Sequence, residues 1–188
     1  DRSGLGNICA VCKDASVFDE YDKETADLVI ADLPCSGLGV LGKKPDLKYR
    51  VQLEDLEELA DLQRKILTCA QAIVKDGGTL LYSTCTVNPG ENMDNVHWFL
   101  KEYPQFELDD ITENLCKELR SDVIEKGCIQ FFPGVHDCDG FFIARLKKKH
   151  DFKKRYSNKK TGGKVRIHYL LKNLRYFHSC PRQQSNPV

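Results

Sequence analysis

Asp32-Leu33-Pro34-Cys35-Ser36-Gly37-Leu38-Gly39 follows the apolar run Leu28-Val29-Ile30-Ala31. Fifty residues after the first thiol, Cys85 closes a second run, Thr79-Leu80-Leu81-Tyr82-Ser83-Thr84. Each stretch reads as a buried strand that stops at a cysteine. A thiol serves catalysis as its thiolate, a strong nucleophile even when only partly populated. A cysteine protease would pair it with a histidine base, but His97, His136, His150, His168 and His178 lie in no evident motif with either strand end. The plain alternative is two cysteines that merely pack, since reduced cysteine is a common core residue. Their placement at the ends of two strands of one expected sheet favours a shared site.

The elements that must position these thiols are legible in the hydrophobic spacing. Leu56, Leu59, Ala60, Gln63, Ile66, Leu67, Ala70, Ile73 and Val74 recur at helical intervals, with only Gln63 interrupting the apolar stripe. Glu54, Asp55, Glu57 and Glu58 crowd the first turns, where the helix dipole favours acids, and Gly77-Gly78 is expected to end the helix. Strand, helix and strand in this order predict a parallel pair joined by a right-handed crossover. Both thiols then sit at carboxyl ends of strands, the edge where open α/β sheets bind ligands. Ile8 to Cys12 reads as a short preceding strand closed by Lys13-Asp14-Ala15. Asn88 to Asn92 reads as a turn, and Met93, Val96, Phe99, Leu100 and Tyr103 as the core stripe of the next helix. Phe106 to Leu108, Ile129 to Phe132 and Phe141 to Leu146 are strand-like, whereas 112 to 126 is charged and ambiguous.

The chain of 188 residues is long enough for one domain with a sizeable core. Nine cysteines without an apolar leader predict a reducing, cytosolic compartment, and no apolar run is long enough to span a bilayer. The zero net charge conceals an asymmetry. Residues 150 to 188 hold ten Lys or Arg against one acid, Asp151. That stretch reads as an appended basic tail, disordered or outside the domain, although such charge can also grip nucleic-acid phosphates. Cys9 and Cys12 form a C-x-x-C without a second one to complete a zinc site, and His136, Cys138 and nearby acids lie in one turn-rich loop, so no metal site is expected. Lys43 to Arg50, beside the first thiol, reads equally as a solvated connection or a phosphate-contacting rim.

Several of these stretches together resemble one family. Asp32 to Gly39, Lys44-Pro45-Asp46-Leu47-Lys48-Tyr49, Tyr82-Ser83-Thr84-Cys85-Thr86-Val87, Pro89-Gly90-Glu91-Asn92 and Asp139-Gly140-Phe141-Phe142-Ile143-Ala144 are similar to the Sun (Fmu) RNA cytosine-5 methyltransferases, closest to the bacterial group acting on small-subunit (16S) ribosomal RNA. The resemblance runs from about Gly4 to Lys149 and stops before the tail. It implies an α/β fold, the C-terminal portion of a class I S-adenosylmethionine-dependent methyltransferase, Rossmann-like, with a mostly parallel sheet and an antiparallel last strand. Residues 1–149 are then a partial catalytic domain and 150–188 the tail.

The resemblance also implies a chemistry. Carbon 5 of cytosine is too electron-poor to attack a sulfonium methyl group, so a thiolate first adds to carbon 6 and makes the ring an enamine. The family's nucleophile falls on Cys85, and the thiol assigned to proton loss and product release falls on Cys35. Asp32 matches a carboxylate near both cofactor and base, and Asp14 an acid near the adenine of S-adenosylmethionine. In family order, the glycine-rich cofactor loop and the ribose-holding acid lie upstream of Asp14. The chain shows no initiating Met, so a fragment that is inactive alone is expected. The expected partner is ribosomal RNA and the expected location cytoplasmic. In DNA cytosine methyltransferases the Pro-Cys thiol is instead the nucleophile, which would make Cys35 the essential residue. Amino-group methyltransferases carry an aromatic where Cys35 stands. A non-catalytic RNA-binding or assembly protein held by its basic tail is the alternative of a different class.

Overall fold

The computed structural model describes residues 8–151 and 165–171. The first strand, β1 (Ala26–Asp32), is followed by a loop containing the short helix α1 (Leu47–Arg50), then the long helix α2 (Leu53–Ile73) and strand β2 (Val74–Thr84). Helix α3 (Met93–Glu102) leads to β3 (Phe106–Leu108), β4 (Val123–Glu125), β5 (Cys128–Phe131), β6 (Phe141–Lys148) and β7 (Ile167–Leu171). The strands form one sheet in the order β4-β5-β6-β2-β1-β7, with β3 also on β6. β1 runs parallel to β2 and β7, while β6 is antiparallel to β2, β3 and β5, and β4 to β5. Five of the seven strands therefore share one direction, with β6 and β4 opposed.

The parallel register sets Asp32 opposite Ser83, so β1 and β2 end level. The helix between them starts with a capping box, Gln52 N donating to Asp55 Oδ2 at 2.9 Å, and its stripe of Ala60, Ile66, Leu67, Ala70 and Ile73 is buried. These side chains pack with Val29, Ala31, Leu33, Leu80 and Tyr82 from the sheet and with Val96 and Phe99 from α3. Phe99 meets Phe106 edge-on at 5.1 Å, and Tyr82 meets Phe142 at 6.0 Å, both favourable aromatic geometries. Such burial makes the strand ends rigid supports.

Three expectations change. Residues 8–14 are exposed coil, not a strand, because the apolar Ile8 and Val11 join no ladder and stay in solvent. Helix α2 ends at Ile73, ahead of Gly77-Gly78; β2 begins at the next residue, and the register shifts between Ala26 and Leu28. Gly77, at φ +70°, and Gly78, where a Cβ would lie 2.8 Å from the Val74 side chain, shape that irregularity instead of stopping a helix. Finally, the basic tail expected over 150–188 is not wholly apart from the sheet. Ile167–Leu171 forms β7 because the edge of β1 offers unpaired main-chain groups, to which Asp27 N adds a bond to Arg166 O at 3.0 Å. Residues 152–164 and 172–188 of that tail lie outside the described residues. Among the described residues no helix is long and apolar enough to cross a membrane, and no group of three metal-ligating side chains is found.

Candidate active site

At the level ends of β1 and β2 the chain leaves the sheet in two turns, and each carries a cysteine. Leu33 N still donates to Ser83 O at 3.1 Å, extending the pairing one residue past β1. Pro34 then turns the chain, and its carbonyl accepts from Gln63 Nε2 at 2.8 Å. Cys35 is buried and Cys85 half-buried, and their sulfurs are 3.1 Å apart. That is well beyond a disulfide bond of about 2.0 Å, so the two form a thiol–thiol contact. The main-chain N–H of Cys85 also donates to Cys35 Sγ at 3.3 Å. Asp32, partly exposed at the end of β1, accepts from Ser83 Oγ at 3.3 Å. The structure thus brings the Cys35 and Cys85 sulfurs into contact, while Asp32 stands at the end of β1, three residues before Cys35.

The glycine turn after Cys35 packs against the second thiol's turn. Gly39 N donates to Cys85 O at 3.1 Å, and Gly140 N donates to Gly39 O at 2.8 Å. A Cβ on Gly39 would lie 2.2 Å from Gly140 O and 2.8 Å from Cys85 O, so glycine is required by the close approach. Gly37, at φ +72°, makes the preceding left-handed step. On the outer side of the turn, Lys43 pairs with Asp139 at 2.6 Å, and Asp139 holds the Lys43 ammonium above its ordinary range. Lys43 therefore faces a carboxylate, while Tyr49 stands exposed nearby on α1.

Beneath the two turns lies a buried polar network that the spacing of apolar residues did not disclose. Glu91 has no exposed surface, and its carboxylate accepts from Ser36 N (2.9 Å), Ser36 Oγ (2.6 Å), Gln63 Nε2 (2.9 Å) and Asn88 Nδ2 (3.1 Å). Tyr82 donates its hydroxyl to the Glu91 carbonyl, and burial pushes that phenol far above its ordinary range. Asn92 accepts from Thr84 Oγ1 at 2.6 Å and donates to Thr86 O at 3.0 Å and to Gln130 Oε1 at 2.7 Å. Gln130 in turn donates to Phe141 O at 3.1 Å. The only sequence signals were the polar Gln63 on an apolar stripe and the turn Pro89 to Asn92.

A cleft of about 720 Å³ opens beside the first thiol, lined by Cys35 and Ser36 at its floor and by α2 residues including Asp55, Glu58, Leu62 and Lys65. Asp14 is not among its lining residues. It borders a separate concavity of about 50 Å³ with Phe18, Cys69, Ile73 and Leu170. Its Oδ1 accepts from Ser16 Oγ at 2.7 Å and Ser16 N at 2.9 Å, which holds the Asp14 carboxyl below the usual range. It is therefore an ionised acceptor at neutral pH.

Residues 1–147 match the protein family described as 16S rRNA methyltransferase RsmB/F. The chain is 41% identical over 150 residues to "Probable ribosomal RNA small subunit methyltransferase B" of Bacillus subtilis (strain 168), covering 79% of this chain and 34% of that protein. It is 38% identical over 147 residues to "Ribosomal RNA small subunit methyltransferase F" of Cronobacter sakazakii, covering 78% and 31%. Among solved structures, NSun6 from Pyrococcus horikoshii with SFG superposes at a TM-score of 0.62 and 30% identity, over 80% of this chain and 37% of that one. The chain spans about a third of the length of the curated relatives it matches.

Proposed function

Because this chain belongs to the 16S rRNA methyltransferase RsmB/F family, we propose that its paired thiols are half of a centre that methylates carbon 5 of a cytosine in ribosomal RNA. Its fold is the C-terminal portion of a class I methyltransferase. The observation that carries the reading is the 3.1 Å contact between Cys35 and Cys85 just past the ends of adjacent parallel strands, where Asp32 is paired with Ser83. One thiol to start a covalent reaction and one to finish it must reach the same base. Sulfurs in contact satisfy that requirement.

In this reading the Cys85 thiolate adds to carbon 6 of the target cytosine, forming a carbon–sulfur bond and moving electron density to carbon 5. Asp32, as the carboxylic acid, donates a hydrogen bond to N3 as negative charge develops there. After carbon 5 is alkylated, Cys35 serves the removal of its proton, and elimination breaks the bond to Cys85 and restores the aromatic ring. The cleft beside Cys35 is lined by neither Cys85 nor Asp32, so the base meets the more exposed Cys85 from outside that lining.

S-adenosylmethionine, when bound, supplies an electrophilic methyl group on a positively charged sulfur. The residues present suit part of it: the ionised Asp14 suits the amino and hydroxyl donors of an adenosine. The relative solved with SFG, an analogue of that cofactor, supports the assignment. The chain covers only 34% and 31% of the two curated relatives, which leads us to propose further that these 188 residues alone do not transfer methyl groups. Methyl transfer by this chain alone to ribosomal RNA would overturn that point. The reading places the whole protein with ribosomal RNA in the cytoplasm.

The decisive experiment is a trap. RNA carrying 5-fluorocytosine blocks proton loss at carbon 5, so the whole protein stays covalently attached to the base, and peptide mapping identifies the residue. The expected adduct is on Cys85. An adduct on Cys35 reverses the two roles and gives the arrangement of a DNA-type enzyme.

A further inference from the structure

Glu91 is fully buried, and both of its carboxylate oxygens are saturated by neutral donors. Oε1 accepts from Ser36 Oγ and Asn88 Nδ2, and Oε2 from Ser36 N and Gln63 Nε2. These donors come from three places. Ser36 follows Cys35 directly, Asn88 lies three residues after Cys85, and Gln63 rises from α2 and also holds Pro34 O. In addition, Ser36 Oγ and Thr86 Oγ1, the hydroxyls immediately after each cysteine, are 2.8 Å apart. The carboxylate is therefore the common acceptor under both turns.

Burying a carboxylate is unfavourable unless its oxygens are fully hydrogen-bonded, and an apolar side chain of similar volume would usually serve stability as well or better. A buried charge of this kind makes sense where it imposes one geometry on groups that must be held together. We propose that Glu91 is a positioning residue that holds the Cys35 and Cys85 sulfurs in contact. It does so by fixing the Pro34-Cys35-Ser36 turn and the Thr86-to-Asn88 turn to one anion. Its catalytic meaning rests on the function proposed above, but the geometric claim does not. An amide cannot replace the carboxylate fully. The Ser36 N–H is a fixed donor that needs an acceptor; the Ser36 hydroxyl can rotate, but turning Asn88 gives up the bond its Oδ1 accepts from Gly90 N at 3.3 Å. Glu91→Gln is accommodated in one orientation of its amide, and Glu91→Ala in none.

The test reads the contact itself and needs neither RNA nor methyl donor. Diamide takes one hydrogen from each of two thiols and joins the sulfurs, so its rate of linking Cys35 to Cys85, followed by peptide mapping of the full chain, reports how often they meet. Alkylation of the exposed Cys116 and Cys138 serves as the reference, and circular dichroism confirms folding. Linking should fall about tenfold or more in Glu91→Ala, as misplacement of reacting groups by an ångström does, with alkylation of the reference thiols unchanged. Glu91→Gln should recover part of the rate. Unchanged linking in a folded Glu91→Ala protein overturns the proposal. If that variant does not fold, Ser36→Ala and Asn88→Ala each remove one donor and should slow the linking; wild-type rates in both overturn the proposal equally. A wild-type adduct on Cys85 in the fluorocytosine trap, with linking unaffected by Glu91, would sink the positioning role and leave the proposed function standing.

Discussion

Cys85 offers Cys35 two contacts at once: its sulfur lies 3.1 Å from Cys35 Sγ, and its main-chain N–H points at that same sulfur from 3.3 Å. The pair is asymmetric. Cys35 is buried and receives a backbone donor, while Cys85 is the more exposed of the two and the better placed to meet a base entering from outside.

That asymmetry separates the phenotypes of the two substitutions in the whole protein. Cys85→Ser should abolish covalent capture of RNA and lower turnover on the order of a thousandfold or more, as loss of a nucleophile does. Cys35→Ala should still capture RNA but fail to release it, so a covalent complex accumulates with ordinary cytosine and S-adenosylmethionine. Denaturing gel electrophoresis of each variant with labelled RNA checks both. A complex with Cys85→Ser, or none with Cys35→Ala, contradicts the assigned roles.

Gly39 and Gly140 carry the turn that backs Cys85. Alanine at Gly39 would put its Cβ 2.2 Å from a main-chain oxygen, and alanine at Gly140 would put its Cβ 2.6 Å from Gly39 Cα. Neither obstacle is a side chain that can swing away. Each substitution should destabilise the fold by about 2 kcal/mol or more, the scale of a backbone clash in a packed site. Gly42, three residues on, has nothing within 4 Å of the same added atom. Gly42→Ala should change stability by less than about 1 kcal/mol and can even raise it by reducing the freedom of the unfolded chain. Urea denaturation of the three variants distinguishes a steric role from a general glycine requirement.

The strand ends, both thiols, the parallel pair and the buried stripes of α2 and α3 were legible because they rest on local periodicity. Val29, Ala31, Leu67 and Phe99 are where the spacing puts them. Ile8 and Val11 have the same apolar character, but a strand exists only if another main chain pairs with it, and no local pattern reveals that. Gly77-Gly78 misled for a related reason: glycine permits a helix stop and a strand irregularity equally, and the neighbouring β1 decides which forms. The polar network was hidden most deeply. Its bonds link Ser36 to Glu91 and Gln130 to Asn92 across distant elements, so each residue looks like ordinary loop or helix-surface polarity when read along the chain.

Gln63 shows how much that network matters to stability. It has no exposed surface; its amide donates to Pro34 O and Glu91, and its oxygen accepts from Asn95 Nδ2 at 2.8 Å. Leucine would restore the apolar stripe and match the volume, so a reading based on hydrophobicity expects a gain. The structure predicts the reverse. Gln63→Leu strips one donor from a buried carboxylate and an acceptor from a buried amide, which should cost about 2–4 kcal/mol. A melting temperature at or above that of the native protein would show that the network is dispensable.

Cys128 supplies a prediction on the alkaline side. It sits on β5 opposite Ala144 with no exposed surface, and burial, aided by the nearby Glu125 charge, pushes its thiol from an ordinary 9.0 up to about 12. The folded protein therefore keeps this proton over a range where the unfolded chain releases it. Between about pH 9 and 12 the unfolded state binds fewer protons, so stability falls as pH rises. One such group contributes a limiting slope of about 1.4 kcal/mol per pH unit. Tyr82, whose hydroxyl burial also pushes up from 10.0, adds to the loss at the upper end. Cys128→Ala should start less stable at pH 7, because it leaves a small cavity, yet lose less between pH 9 and 10, where the thiol dominates. Urea midpoints of both proteins at closely spaced pH values read the difference. Parallel curves would mean that the Cys128 proton is not held by the fold.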